Sequence, residues 1–386
     1  MAKRILLAIV LTFAGLVLYA NQTATKPAAE VPVIKNGLHP KVVKGQPSQL
    51  SLKTEFVIDM EDPKLAEVGL TDPSSLDIDS QGRIYIATQT TGKDFIFKFD
   101  ETGKFLASFC RSGQGPGEVQ SPSSFAVNSR DELLVGDDQS RKLVIMDTNG
   151  HLIREKRDFV GTGLSPVDKG FLCEFHGYSR EKRQRYSSWC LLDEDLKKTH
   201  ELVEWVLPTV PGRDKFPGVS PGYLVACGSG RIFIGEPLDR GYEILILDAA
   251  GNIKLKAQKE FVPIRVEKSF VDKVRSGYPN DPAFQSSLYF PEYFPPFQGG
   301  FADDEGRLFV MTYEKGPSSN EYINDVFSKE GILIARIGLE NYGSIGNAEV
   351  KLDGPLFAMA KKGRLYLMRE KDDGFKEVVV SRMIWK

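Results

Sequence analysis

Residues 113–152 read GQGPGEVQSPSSFAVNSRDELLVGDDQSRKLVIMDTNGHL. Short apolar runs (FAVN, ELLVG, KLVIM) alternate here with clusters of Gly, Asp, Asn and Ser, the composition of strands joined by tight turns. The stretch begins inside RSGQGPGE (111–118), where Gly113, Gly115 and Gly117 alternate between an Arg and a Glu. Such a run invites a phosphate cradle, and its spacing excludes one. A P-loop needs G-x-x-x-x-G-K-[ST] opening a helix; a dinucleotide fingerprint needs G-x-G-x-x-G between a strand and a helix. The pattern here is G-x-G-x-G, no Lys-Ser/Thr follows, and the next residues are strand-like. Glycines in this setting supply the positive φ of turns.

The strand pattern recurs along the chain. One phrase appears as GRIYIA (82–87), DELLVG (131–136), GFLCEF (170–175), GRIFIG (230–235), GRLFVM (306–311) and GRLYLM (363–368). A second follows most copies: FDETGKF (99–105), MDTNGHL (146–152), LLDEDLK (191–197), LDAAGNI (247–253) and FSKEGIL (327–333). A further apolar strand precedes most first phrases, and another follows most second ones. Each unit is thus four antiparallel strands in roughly 40–50 residues, the size of a propeller blade. The six copies predict an all-β, six-bladed β-propeller over 52–386. A β-sandwich is the alternative for so many strands, but six like units argue for radial repetition. The last unit, from Leu356 to Lys386, holds only three strands, and TEFVIDM (54–60) is predicted to supply its fourth. That pairing closes the ring and removes a hazardous edge.

With its glycine-rich lead-in, Pro122 before an apolar strand, a second strand ending in Asp137 and a closing Asp147-x-x-Gly150, the quoted stretch resembles an NHL-type propeller repeat. The whole chain is similar to exported bacterial six-bladed propellers of that group. The third unit departs from the pattern, having no closing Gly. The resemblance implies the fold more firmly than an activity. Relatives of this kind include metal-dependent lactonases and an amidating lyase acting on peptide ends, which hold a metal in the central channel through carboxylates, Asn or His.

Composition narrows the function classes. The chain has 386 residues, 41% hydrophobic and 26% charged, and a net charge of −2. That is a globular composition with no sustained basic face, which excludes nucleic acid as a partner. Lys3 and Arg4 precede the apolar run Ile5–Ala20, which is short for a membrane span and suits a secretory signal. Residues 1–20 are therefore read as a signal peptide or, alternatively, an uncleaved N-terminal anchor. The polar, Pro/Lys-rich stretch 21–51 is read as a flexible tether. The expected location is periplasmic or extracellular, with the membrane reached only through a retained N-terminus.

Strand order divides the loops between two faces. The tight turns inside hairpins, such as SQG (80–82) and DTNG (147–150), fall on one face. Blade-to-blade connections and middle-hairpin loops fall on the other, and binding residues concentrate on such loops. The candidate ligand-binding residues lie on this loop-rich face: Arg111, Glu118, Asp137, Arg183, Tyr289 and Tyr293. Arg111 and Glu118 frame the glycine run and Asp137 begins the Asp-rich turn GDDQS; bracing and capping of these turns is the plainer reading of all three. Arg183 belongs to the basic hairpin tip SREKRQRY (179–186). The largest insertion, 261–298, combines a helix-like VEKSFVDKVRSG with the aromatic run PAFQSSLYFPEYFPPFQGG. Most of these rings are expected to pin the insertion to the blades; Tyr289 and Tyr293 also have polar edges for a ligand.

No C-x-x-C pair supports a zinc cluster among Cys110, Cys173, Cys190 and Cys227. Cys173 and Cys190 fall on adjacent strands of the third unit, where an exported protein permits a disulfide; buried free thiols are the other reading. His39, His151, His176 and His200 are too scattered along the predicted fold to form one metal centre. Asp77, Asp79, Asp303 and Asp304 could offer oxygen to Ca²⁺, although acids beside Gly turns commonly cap them. The functional expectation is an exported, non-catalytic module, with no cofactor and no catalytic residue, that binds a protein, peptide or glycan partner. The alternative is a metal-dependent hydrolase or lyase with Ca²⁺ or Zn²⁺ in the channel.

Overall fold

The computed structural model describes residues 31–42, 48–89, 93–181, 184–207, 216–219, 222–236, 241–277, 281–318, 321–340, 357–371 and 373–386. Within them six four-stranded antiparallel blades follow one another. Blade 1 is Pro73–Ile78, Ile84–Thr88, Asp94–Phe99 and Phe105–Arg111; blade 2 is Pro122–Val127, Leu133–Asp137, Lys142–Met146 and Leu152–Arg157. Blade 3 is Gly161–Val167, Gly170–Ser179, Gln184–Leu192 and Lys198–Leu207; blade 4 is Leu224–Gly228, Arg231–Gly235, Glu243–Asp248 and Ile253–Lys259. Blade 5 is Gly299–Ala302, Leu308–Lys315, Glu321–Phe327 and Leu333–Glu340. Blade 6 takes Phe357–Lys361, Arg364–Glu370 and Lys376–Trp385 from the end of the chain and Leu50–Asp59 from near its start.

The second strand of each blade contains an apolar run that is buried on both its faces. In GRIYIA, Ile84 and Ile86 enter the core shared with blade 6, whereas Tyr85 and Ala87 enter the core shared with blade 2. Leu133 and Val135 likewise face blade 1, and Leu134 faces blade 3. Ile232 and Ile234 face blade 3, and Phe233 faces blade 5. Six apolar clusters result, one at each junction between successive blades. The cluster joining blades 6 and 1 contains Ile58 from the N-terminal strand, Met60 just past it, and Ile78, Ile84 and Phe97 from blade 1. The predicted closure by 54–60 is therefore present, with Phe56 opposite Val380 and Asp59 opposite Glu377.

The D-x-x-G turns carry a second layer of order. Asp147 Oδ1 accepts from Asn149 N at 2.8 Å and His151 N at 2.9 Å, and Asp79, Asp100, Asp248 and Asp303 repeat the pattern. These carboxylates hold their own turns. The glycine of the outer hairpin turn, at 103, 150, 251 and 331, also docks on the preceding blade. Gly150 has φ +82° and a Cβ there would lie 2.5 Å from Phe109 Cγ of blade 1. In blade 3 this place belongs to Leu196, at φ 62°, whose side chain packs into the blade 2–3 core. Gly150→Ala is expected to destabilise the protein by about 2–4 kcal/mol, combining left-handed strain with overlap. Gly69→Ala, at φ +93° with open space around it, should show only the strain part, about 1–2 kcal/mol. Urea midpoints of the two variants check this.

Part of the expected tether is built into the ring, which corrects that reading of 21–51. Val33–Asn36 adds to blade 4 as a fifth, parallel strand, Val33 opposite Lys256 and Asn36 opposite Lys259. The four residues VIKN are too few to register as a strand without the open edge they cover. Residues 1–20, read as a signal peptide or anchor, lie outside the described residues. The expected helix in the insertion is present as Lys268–Ser276, and the described residues also hold two short helices that were not expected. Pro63–Val68 is capped by Asp62 and sends Leu65 into the blade 6–1 core; Pro282–Ser287 is capped by Asp281.

Candidate functional site

The first strands of the six blades neighbour one another around the channel. Each starts at the loop-rich face and runs toward the tight turns, so residues at equal steps along them stand at equal depth. In blades 1, 2 and 3 this strand is interrupted by a β-bulge near its beginning: between Pro73 and Ser75, between Pro122 and Ser124, and between Thr162 and Ser165. The corresponding strands of blades 4, 5 and 6 pair without a shift. Bulges re-aim side chains at sheet rims and next to sites. Here all three open onto one cavity of about 370 Å³ at the loop-rich end of the channel.

The bulges present Ser74 and Ser75, Ser123 and Ser124, and Ser165 around this cavity, and Phe357 and Met359 of blade 6 form an apolar wall. Ser74 Oγ donates to Ala87 O at 3.2 Å. The hydroxyls of Ser123 and Ser124 are buried with no protein partner, an arrangement native structures rarely leave unexplained. Trp189 reaches the cavity from the third strand of blade 3. It does so across Gly163, at φ +57°, where a Cβ would stand 2.9 Å from the indole ring. Asp77 closes the floor. Its Oδ1 accepts from Lys361 Nζ of blade 6 at 2.9 Å and from Ile78 N at 2.7 Å, and its Oδ2 from Val127 N of blade 2 at 2.7 Å. Three blades are thereby joined, and both carboxylate oxygens already accept hydrogen bonds.

The residues singled out in the sequence do not converge on this cavity. RSGQGPGE is the connection from blade 1 to blade 2, as expected, and its glycines wrap a carboxylate rather than a phosphate. Glu118 accepts from Gly115 N at 2.8 Å, and a Cβ on Gly113 would fall 2.1 Å from that carboxylate. Arg111 is exposed at the end of blade 1 and its carbonyl accepts from Val119 N at 2.9 Å. Asp137 is buried and accepts from Gln120 N and Ser121 N, both at 3.0 Å, tying blade 2 to that connection. Arg183 lies outside the described residues. Tyr289 and Tyr293 are 42% and 46% exposed on the insertion, while Phe297 is buried and Phe294 stacks on Tyr313 at 4.2 Å. Leu288–Tyr289 also pairs with Phe216–Pro217, joining the insertion to the blade 3–4 connection.

Burial pushes the Asp137 carboxyl up, but the bonds from Gln120, Ser140 and Ser121 outweigh it and hold the pKa below the usual value. Stability from a depressed carboxylate is full above its unfolded pKa and is lost as pH falls through the folded one. Asp137→Asn should therefore lower stability at pH 6, and the gap from wild type should close as pH falls below about 4. Denaturant midpoints across that range check it.

Cys173 and Cys190 are register partners in blade 3, and both are buried free thiols. Cys173 Sγ turns toward Thr162 O, whereas Cys190 Sγ turns toward Ser188 Oγ. Burial raises the Cys110 and Cys173 thiols to about 12. Of the acids considered for Ca²⁺, Asp79 and Asp303 cap turns, Asp77 closes the channel, and Asp304 accepts from Lys362 N at 2.8 Å. Among the described residues no three His, Cys, Asp or Glu side chains gather as a metal site. No described helix is long and apolar enough to cross a membrane.

Comparison with known proteins agrees with this architecture. Residues 67–205 match a family described as a 6-bladed beta-propeller, DUF5128. The matched stretch covers blades 1 and 2 and most of blade 3. A candidate exported protein from Bacteroides fragilis NCTC 9343 has a similar solved structure, with TM-score 0.53 and 13% identity over 91% of this chain and 99% of that one. A DUF4221 family member from Bacteroides vulgatus ATCC 8482 is similar at TM-score 0.50 and 10% identity, over 88% of this chain and 100% of that one. At these identities the likeness is one of fold. No curated protein sequence matches the chain.

Proposed function

We propose that this chain is an exported, NHL-like propeller that acts as a binding module without catalysis, holding its partner at the loop-rich face with the channel cavity at the centre of the site. The observation that carries the reading is the convergence of three bulged inner strands on one cavity at that end. Export is supported by the basic-apolar N-terminal segment and by the likeness to a candidate exported protein. Absence of turnover is supported by the lining. A serine nucleophile needs an adjacent base, and among the described lining residues there is no His, Cys, Lys, Arg or Glu. The one carboxylate, Asp77, is already committed to Lys361 and two amides.

Amide hydrogen exchange on the full chain tests the location of binding. With a library of small sugars and short peptides as probes, a bound member should protect 73–75, 122–125 and 161–166 and emerge unmodified. Protection confined to the tight turns near 80–82 and 147–150, or conversion of the probe to product, would overturn the reading.

A further inference from the structure

Resting on the binding reading above, we infer that the channel cavity takes a neutral sugar ring, either free or as the terminal residue of a glycan. Charge is the first argument. Among the described lining residues Asp77 is the only acidic or basic side chain, and its oxygens already accept from Lys361 Nζ, Ile78 N and Val127 N. A charged ligand would shed part of its hydration in the cavity and find no uncommitted countercharge among the described lining residues, a net cost.

Hydrogen bonding is the second argument. Five serines line the cavity from three blades; a hydroxyl can both donate and accept, the dual capacity that a ring of sugar hydroxyls matches, and of the five Ser74 already spends its donor on Ala87 O. Ser123 and Ser124 hold buried hydroxyls that no protein group satisfies. Rotation about χ1 moves a serine hydroxyl between staggered positions, so a ligand hydroxyl in the cavity supplies a partner the fold does not.

Shape is the third. The half-buried Trp189 indole and the Phe357–Met359 wall give the cavity apolar surfaces beside its serines. A pyranose has the same division, with C–H faces and a hydroxyl rim, and aromatic side chains favour ligands with one apolar face. A volume near 370 Å³ equals about a dozen waters. It lies at the low end for ligand sites, suited to one or two rings rather than a longer chain.

Calorimetry and saturation-transfer NMR on the full chain test the inference, using neutral hexoses, their methyl glycosides and the matching hexuronic acids. At least one neutral sugar is expected to bind, with its uronic acid at least tenfold weaker. Binding of both the free sugar and its glycoside points to a terminal residue; binding of the free sugar alone points to a soluble ligand. Trp189→Ala should weaken binding at least tenfold and Trp189→Phe should restore most of it. Ser124→Ala, which removes one hydroxyl and little volume, should weaken it three- to tenfold with an unchanged melting temperature. Equal affinity for the uronic acid, or full affinity in both Trp189→Ala and Ser124→Ala, overturns the sugar-ring assignment. A peptide that binds wild type and Trp189→Ala alike, but not the Tyr289→Ala/Tyr293→Ala double variant, overturns it too while leaving loop-face binding intact. Protection by any probe at the tight turns instead removes both.

Discussion

Replacing Asp325 with alanine is expected to lower the unfolding free energy by about 3–5 kcal/mol, the range for breaking a buried ion pair from one side. Asp325 sits in the third strand of blade 5 with no exposed surface. Its Oδ2 accepts from Tyr242 Oη at 2.8 Å and faces Lys259 Nζ at 3.3 Å, both from blade 4. Its Oδ1 accepts from Arg336 Nε at 2.8 Å in the neighbouring strand. Alanine would take the Asp325 carboxylate away from Lys259, itself nearly fully buried, and from the Tyr242 hydroxyl. Arg336 would keep Glu314, so most of the loss falls at the blade 4–5 junction. Asp325→Asn keeps a polar group there and should lose less. The double variant Asp325→Ala/Lys259→Met should be more stable than the sum of the two single losses, because removing both charges also removes the desolvation problem. Denaturant titration of wild type, the two single variants and the double variant decides this; simple additivity would show that Asp325 and Lys259 are not coupled.

The fold was legible because a propeller writes its architecture into one short phrase. GRIYIA and its copies are apolar on both sides of the strand, as only a strand sandwiched between two neighbouring blades requires. Where the D-x-x-G phrase forms the hairpin leading to the outer strand, as at 100–103, 147–150 and 248–251, its glycine is demanded by contact with the preceding blade as well as by φ. The site was much less legible. A bulge shifts the register by one residue, so alternation of apolar and polar residues reads the same on either side of it. The available signal was the repeated Pro-Ser-Ser at 73–75 and 122–124, two inner strands beginning alike at equal depth in the ring. Blade 3 spells its share differently, as GTGLSP (161–166), which hides the repeat. Trp189 could not be placed, since it reaches the channel from the third strand and only across a glycine. Arg111, Glu118 and Asp137 drew notice as charges beside glycines, and the structure uses Glu118 and Asp137 to hold the connection from blade 1 to blade 2.

Asn36 is the other position where one side chain holds much of the ring, and Asn36→Ala is expected to cost about 2–4 kcal/mol. Lying at the end of the strand added to blade 4, it reaches across to blade 5. Its Nδ2 donates to Gly331 O at 2.9 Å and to Gln258 O at 3.2 Å, and its Oδ1 accepts from Leu333 N at 2.9 Å. Nearby, Lys41 N donates to Leu333 O at 3.0 Å and Glu260 N donates to Asn36 O at 3.0 Å. The N-terminal segment thus fastens blades 4 and 5 before Leu50–Asp59 completes blade 6. Alanine would strand the buried Leu333 amide and two carbonyls. Aspartate is nearly the same shape but would set a carboxylate against those carbonyls, so Asn36→Asp should be at least as damaging at pH 7. Its folded-state pKa would be raised, because only the protonated acid can donate to Gly331 O. A raised pKa confers stability below the unfolded value that is lost as pH rises through the folded one. Asn36→Asp should therefore approach wild type near pH 4, whereas Asn36→Ala should stay destabilised at every pH. Melting curves of the three proteins between pH 4 and pH 7 test the clasp; parallel pH profiles would show that the amide does not bridge the two blades.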